Sequence, residues 1–254
     1  MAEPEDLRSG VARCLSAAGS DARSLLQAAQ IDWSMPVPQC PAWDAAGLVR
    51  HMGGILQWMA AIVTTGERVS FRTLEPSPED PADLPSWYLA ALPRTLEVLG
   101  SADPDAPTWT FSPTGDRRAW WWCRRLAVEV AIHRWDAEQA RAVTGGSAPG
   151  PIDAVVATAG IEEFIVEFLP GLLVREGVAG LTGTLHLHAT DGPTEWWIDL
   201  GAQGAARPEH AKADTAVRTT RSNLLLWLSS RRPLDGVEVL GHQEIADRWG
   251  QLQR

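Results

Sequence analysis

The chain is poor in cysteine, nearly devoid of tyrosine and short of positive charge. Three cysteines, Cys14, Cys40 and Cys123, are spread over 254 residues. Few, odd in number and far apart, they build no disulfide framework and fit a reducing compartment. Lys and Arg number 22 against 32 Asp and Glu, for a formal net charge of -10. Such a surface repels nucleic-acid phosphates and anionic membranes, so neither is expected as a partner. No apolar run approaches the roughly 18–20 residues that span a bilayer. The first residues, MAEPEDLRSG, are acidic and polar where a secretory signal is basic and then apolar. A cytoplasmic monomer or homodimer acting on a small molecule is expected.

What is present points to packed cores. Hydrophobic residues make up 45% of the chain, and its length suits two domains. Thirteen tryptophans stand against one tyrosine. So much indole either packs large cores or walls a pocket, and the count does not choose between them.

Apolar residues recur at helical spacing through the first half. Leu7, Val11, Cys14, Leu15, Leu25 and Leu26 predict a helix over 5–30, with Gly19-Ser20-Asp21 as the point where it can break. Prolines mark 33–43 as a loop. Asp44 is a candidate N-cap for a second helix that carries Leu48, Met52, Ile55, Leu56, Met59, Ile62 and Val63 and stops at Gly66-Glu67. A third helix is expected near 83–99, where Pro93 can bend it, and a fourth near 118–142. Gly145-Gly146 and Pro149-Gly150-Pro151 form the clearest linker, dividing the chain into 1–148 and 149–254.

The second half opens on a helix over 152–173, with Pro151 at its start. The period then shortens to two. Residues 183–189 and 194–200 read as strands joined at Asp191-Gly192, a hairpin turn signal. Further strands are expected at 215–219 and 237–240, and helices at 223–228 and 242–252. Helices first, then strands mixed with helices, make a two-domain α+β protein.

Three residues stand out chemically. His51 follows Leu48 by three and precedes Ile55 by four, which puts it on the apolar face of its helix. Alone it would read as a core histidine bonded to a backbone carbonyl. Glu129 and His133 lie four apart and share a face with Leu126, Val130 and Ala137. A carboxylate on a core stripe must be paired or must ligate a metal. Two imidazoles and a carboxylate would suit Zn2+ or a similar ion. A buried ion pair of Glu129 with a histidine or with Arg124, Arg125 or Arg134 fits the spacing equally well. Asp136, three residues after His133, is either an acceptor that orients that ring or a surface ion-pair partner. His186 and His188 alternate onto one strand face, opposite Leu185 and Leu187. A solvated face is the first reading there, and an interdomain cleft the second. Cys40 lies near the His51 helix but has no activating base. Trp120-Trp121-Trp122 is read as core, with a pocket wall as the alternative.

Several runs resemble the mycothiol-dependent maleylpyruvate isomerase family. Residues 37–53, from Val37-Pro-Gln-Cys-Pro-Ala-Trp43 to His51-Met-Gly53, are similar to the family's N-terminal pattern. Glu129-Val-Ala-Ile-His-Arg-Trp-Asp-Ala-Glu138 resembles its ExxxHRWDAE element. Leu187–Gly192, Ser222–Pro233 and Val237–Gly241 resemble its C-terminal domain.

The resemblance implies a DinB-like four-helix bundle over 1–148 and a sterol-carrier-like α+β domain over 149–254. It implies zinc on His51, Glu129 and His133, facing a cleft between the two domains. It also implies a thiol cofactor, mycothiol or another low-molecular-weight thiol, met by a catalytic arginine. Arg231 is the best match, with Arg232 as the alternative; Ser230 and Thr219-Thr220 stand where the family often has glycine. The implied activity is a metal-dependent thiol S-transferase or thiol-assisted isomerase acting on a small electrophile. A thiol-free metal-dependent isomerase, lyase or hydrolase, and a non-catalytic ligand-binding module, are the rival expectations.

Overall fold

A computed structural model describes residues 4–174, 181–201, 204–234 and 237–249. The chain divides into two compact units, Met1–Ile152 and Asp153–Arg254. It has the expected α+β class, a helical bundle followed by a mixed sheet with helices. Among the described residues no helix is long and apolar enough to cross a membrane.

Four long helices build the first unit: α1 (Pro4–Ala29), α2 (Ala45–Thr65), α3 (Leu84–Ser101) and α4 (Ala119–Val143). α1 packs chiefly on α4, α2 on α3, and α2 also meets α4. Asp44 caps α2 as expected, accepting the Gly47 N–H at 2.7 Å. Gly66 ends it at φ 72°, with its N–H on the Ile62 carbonyl at 2.7 Å.

α1 runs unbroken through Gly19-Ser20-Asp21, contrary to expectation. Gly19 acts here as a contact residue: a Cβ on it would lie 3.1 Å from Leu96 of α3. Asp21 reaches across to Arg134 of α4 at 3.3 Å. Pro93 is tolerated inside α3 because it sits on the exposed side, where the carbonyl it deprives of a donor can meet water.

The first helix of the second unit starts later than expected. Asp153, accepting N–H bonds from Val155 and Val156, caps α5 (Ala154–Glu163), so Pro151 lies outside the helix. A wide π turn over Phe164–Phe168 leads into the short α6 (Leu169–Leu173). The sheet contains β1 (Thr184–Ala189), β2 (Glu195–Asp199), β3 (Ala205–Arg207), β4 (Thr215–Thr219) and β5 (Glu238–Gly241), in the order β3-β2-β1-β4-β5. Among the described residues only β1 and β4 pair in parallel. α7 (Arg221–Leu228) packs on α5, and α8 (Gln243–Trp249) lies beside β4 and β5. The expected final helix extended to residue 252, and its last three residues lie outside the described ones.

β3 was not expected. Its three residues, Ala-Ala-Arg, are all exposed and show no alternation. Leu185, Leu187, Ile198, Val217, Leu224, Leu225, Trp227 and Trp249 form the buried core of this unit.

Candidate metal centre

The Pro-rich passage after α1 folds back on itself. Val37 N–H donates to the Trp43 carbonyl at 3.0 Å and Ala45 N–H to the Met35 carbonyl at 2.9 Å. Met35 and Val37 are buried and anchor the loop. Trp43 is thereby laid against α2 and α4, its ring centroid 4.6 Å from that of His51 and 5.9 Å from that of His133.

α2 presents His51 and α4 presents Glu129 and His133 to a common point. Glu129 Oε1 lies 3.4 Å from His51 Nε2 and 3.4 Å from His133 Nε2. All three donor atoms fall within 4.8 Å of one another. At bond lengths of about 2.0–2.1 Å, a tetrahedral ion sets its ligands roughly 3.3–3.4 Å apart. The spacing thus suits an ion and is long for strong hydrogen bonds. Exposure is graded across the trio: 28% for the His51 side chain, 13% for Glu129 and 7% for His133. Solvent reaches the centre most readily on the His51 side.

The surrounding groups fix the donors. Arg125, one turn before Glu129, binds the other carboxylate oxygen, Oε2, and leaves Oε1 to the histidines. Asp136, fully buried, takes His133 Nδ1 at 2.9 Å. That contact holds the ring with Nε2 turned inward. Burial by itself would raise the Glu129 carboxyl, but Arg125 and hydrogen bonds from His133 and His51 hold it well below the usual carboxylate range. Burial would lower His133, but Asp136 and Glu129 outweigh it and its pKa is raised. An ion bound there would displace that proton.

Of the two sequence alternatives for Glu129, the ion pair is formed, on Oε2, while Oε1 faces the two histidines. Of the three arginines near in sequence, Arg125 makes the pair. Arg134 instead binds Glu138 at 2.7 Å and the Gly150 and Pro151 carbonyls. Cys40 Sγ lies 4.0 Å from Asp136 Oδ2, so Cys40, His133 and Asp136 also cluster. Asp136, however, is already engaged on His133 Nδ1. Burial pushes the Cys123 thiol up to about 12 and raises Cys14 as well, so neither supplies a thiolate at neutral pH. Trp121 and Trp122 are core residues, 1% and 0% exposed. Trp43, the aromatic neighbour of the centre, was not singled out beforehand. Its loop position carries no periodic signal.

Arg231 and Arg232 follow α7 in the second unit. Arg231 Nη1 donates to the Ser229 carbonyl and Arg232 Nη1 to Asn223 Oδ1, both at 2.9 Å. Ser230, in the place where a glycine is common in the resembling family, has φ 56°. Its N–H bonds the Trp227 carbonyl and that of Arg231 the Leu226 carbonyl, a Schellman ending that favours glycine at Ser230.

A family model described as the mycothiol maleylpyruvate isomerase N-terminal domain matches residues 12–138, half of the chain. The match spans His51, Glu129 and His133. Two solved structures share the fold: a mycothiol-dependent maleylpyruvate isomerase and a His-to-Ala mutant of it. Each is 16% identical with a TM-score of 0.59, over 94% of this chain and 95% of the other. No curated protein matches the chain.

Proposed function

Because the chain belongs to the mycothiol maleylpyruvate isomerase N-terminal domain family, we propose that it holds a divalent cation on His51, Glu129 and His133 and works with a low-molecular-weight thiol. Zinc is the ion and mycothiol the thiol that this reading favours. The observation that carries it is the placing of Glu129 Oε1 at 3.4 Å from both histidine nitrogens, with Oε2 taken by Arg125. Three protein ligands would leave a coordination position open. When bound, the ion supplies Lewis acidity that lowers the pKa of a coordinated thiol toward neutrality.

The chain's own residues do the positioning. Asp136 keeps His133 in one tautomer. Arg125 keeps the Glu129 carboxylate ionised and oriented. Trp43 covers the two imidazoles on one side and limits water there. The bundle is the metal-binding module and the α+β domain the source of the thiol-binding arginine, Arg231 or its neighbour Arg232. A cytoplasmic setting, where small thiols stay reduced, suits this chemistry.

The reaction class is addition of the thiol sulfur to an electrophilic carbon of an activated C=C bond in a small substrate: the thiol gives its S–H proton to solvent, the C–S bond forms as the π bond breaks, and the π electron pair passes to the activating carbonyl of the substrate. Where that bond breaks again after rotation about the adjacent carbon–carbon bond, the net change is cis–trans isomerisation and the thiol is returned. Where the bond persists, the product is a thioether and the enzyme a transferase.

Calorimetric titration with mycothiol tests the thiol role. Zinc-loaded protein is expected to bind it saturably, while chelator-stripped protein and His51→Ala are not. Zinc-loaded protein that ignores mycothiol would contradict the thiol role and favour thiol-free Lewis-acid chemistry.

A further inference from the structure

We propose that the sheet of the second unit carries a second divalent-cation site, formed by His186, His188 and His210 around Glu195. The chain has six histidines. His51 and His133 belong to the bundle centre, and three of the other four converge on this one carboxylate. His186 Nε2 lies 2.9 Å and His210 Nδ1 2.6 Å from Glu195 Oε2, and His188 Nδ1 lies 2.8 Å from Oε1. All four donor atoms fall within 4.8 Å of one another.

Strand register brings them together. His186 and His188 are two apart on β1 and so share a face. Glu195 on β2 is the direct partner of His188, while Trp197 is the partner of His186. Arg207 on β3 pairs with Trp197, and the chain leaving β3 carries His210 back over the same face. A solvated face was the first expectation for these histidines. His186 is instead buried and His188 half-buried, and only His210 is open, its side chain 79% exposed.

A hydrogen-bonded cluster without an ion is the simpler alternative. It accounts for His186, a buried imidazole that needs one acceptor. It accounts poorly for His210, since an exposed ion pair gains little for the ordering it demands. A third imidazole on a carboxylate already serving two is unnecessary for satisfying either. The same three nitrogens become ligands when their protons are replaced by an ion. Ligands of a tetrahedral ion stand roughly 3.3 Å apart, so the carboxylate would draw back by about 0.4–0.7 Å from its present contacts of 2.6–2.9 Å. His210, on an exposed segment, can follow. The nearest guanidinium by register is that of Arg218, which is tied to Glu238 at 2.9 Å.

The donor set also selects the ion. Three imidazoles and one carboxylate suit Zn2+, Cu2+ or Ni2+ and not the oxygen-seeking Ca2+ or Mg2+. Four protein ligands complete a tetrahedron, which marks a structural site. An ion there would clip β1, β2 and the segment after β3 together, independently of the bundle centre.

The test is equilibrium dialysis of the full, metal-stripped chain against buffered micromolar Zn2+, with bound metal counted by mass spectrometry. The His51→Ala protein, lacking the bundle centre, is expected to keep one zinc. His51→Ala/His188→Gln/His210→Ala is expected to keep about a tenth of that or less. In the wild-type protein, zinc should shift the 15N resonances of His186 Nε2 and of His188 and His210 Nδ1, a readout independent of any variant's folding. A His51→Ala protein without zinc, a triple variant that binds as His51→Ala does, or three unmoved imidazoles would each overturn the site.

Discussion

Glu129→Gln is expected to weaken zinc binding by more than about 100-fold, because loss of an outer-shell partner alone costs roughly 10–100-fold. It is also expected to destabilise the zinc-free protein. The two effects arise from the two oxygens. Oε1 stands between His51 and His133, and Oε2 holds Arg125, whose side chain is only 16% exposed. Glutamine keeps the shape but offers a neutral oxygen and strands the guanidinium. Stranding one member of a buried pair costs about 3–5 kcal/mol, and the residual amide contact and partial exposure keep the loss at or below about 3 kcal/mol. His51→Ala is the control. It removes the most exposed of the three side chains and leaves Arg125 paired, so it should lose zinc at the bundle centre with little effect on the zinc-free fold. Chelator competition in the His188→Gln/His210→Ala background reads the first effect, and urea denaturation of the zinc-free proteins the second. If Glu129 serves only as an ion-pair partner, Glu129→Gln will still lose stability, but zinc will not stabilise the His188→Gln/His210→Ala protein, which has only the bundle centre. A functioning centre should add about 4 kcal/mol when zinc is present at 1,000 times its dissociation constant.

Gly53→Ala is expected to destabilise the bundle by about 2 kcal/mol, against what helix propensity alone would say. In an open helix, alanine is better than glycine by about 1 kcal/mol. Here a Cβ would fall 2.1 Å from Cζ3 of Trp87 and 2.5 Å from its Cη2. Trp87 is 8% exposed in α3, and although it borders a cavity beside Ala60, Ala61 and Ala91, its rigid ring can yield only by swinging as a whole. Overpacking of this kind costs roughly 1–3 kcal/mol and at times more, which outweighs the propensity gain. Gly53 lies two residues after His51, so the same close approach of α3 also fixes the helix that carries His51. Trp87→Leu should relieve part of the clash, giving a favourable interaction energy of about 1 kcal/mol in a double-mutant cycle of denaturation free energies. A Gly53→Ala protein more stable than wild type would contradict so close a packing of α2 on α3.

Local signals carried much of the fold. Asp44 and Gly66 bound α2 because capping and left-handed backbone depend on the residues themselves. The period-two run at 183–189 and the Asp191-Gly192 turn likewise identify a hairpin from local chemistry. Where expectation failed, another residue, near or far along the chain, had changed the meaning of the one that was read. Gly19 reads as a helix breaker until Leu96 is seen against it. Pro151 reads as a helix start until Asp153 is seen to hold two N–H groups. β3 depends on the edge of β2 for its existence and has no pattern of its own.

The bundle centre was half legible for the same reason. Spacing assigns His51, Glu129 and His133 to helix faces, but spacing does not say which faces meet. Nor does it divide the two Glu129 oxygens between the histidines and Arg125. Trp43 reaches the centre through loop hydrogen bonds that leave no trace in composition. His210 joins Glu195 from an irregular segment, so only His186 and His188 could be paired from sequence.

The most direct measurement is X-ray absorption at the zinc edge of the His188→Gln/His210→Ala protein, which isolates the bundle centre, recorded with and without mycothiol. The expected first shell holds two imidazole nitrogens and a carboxylate oxygen, with one sulfur added when the thiol is present. No stoichiometric zinc in this protein, or a first shell without imidazole, would contradict the centre at His51, Glu129 and His133.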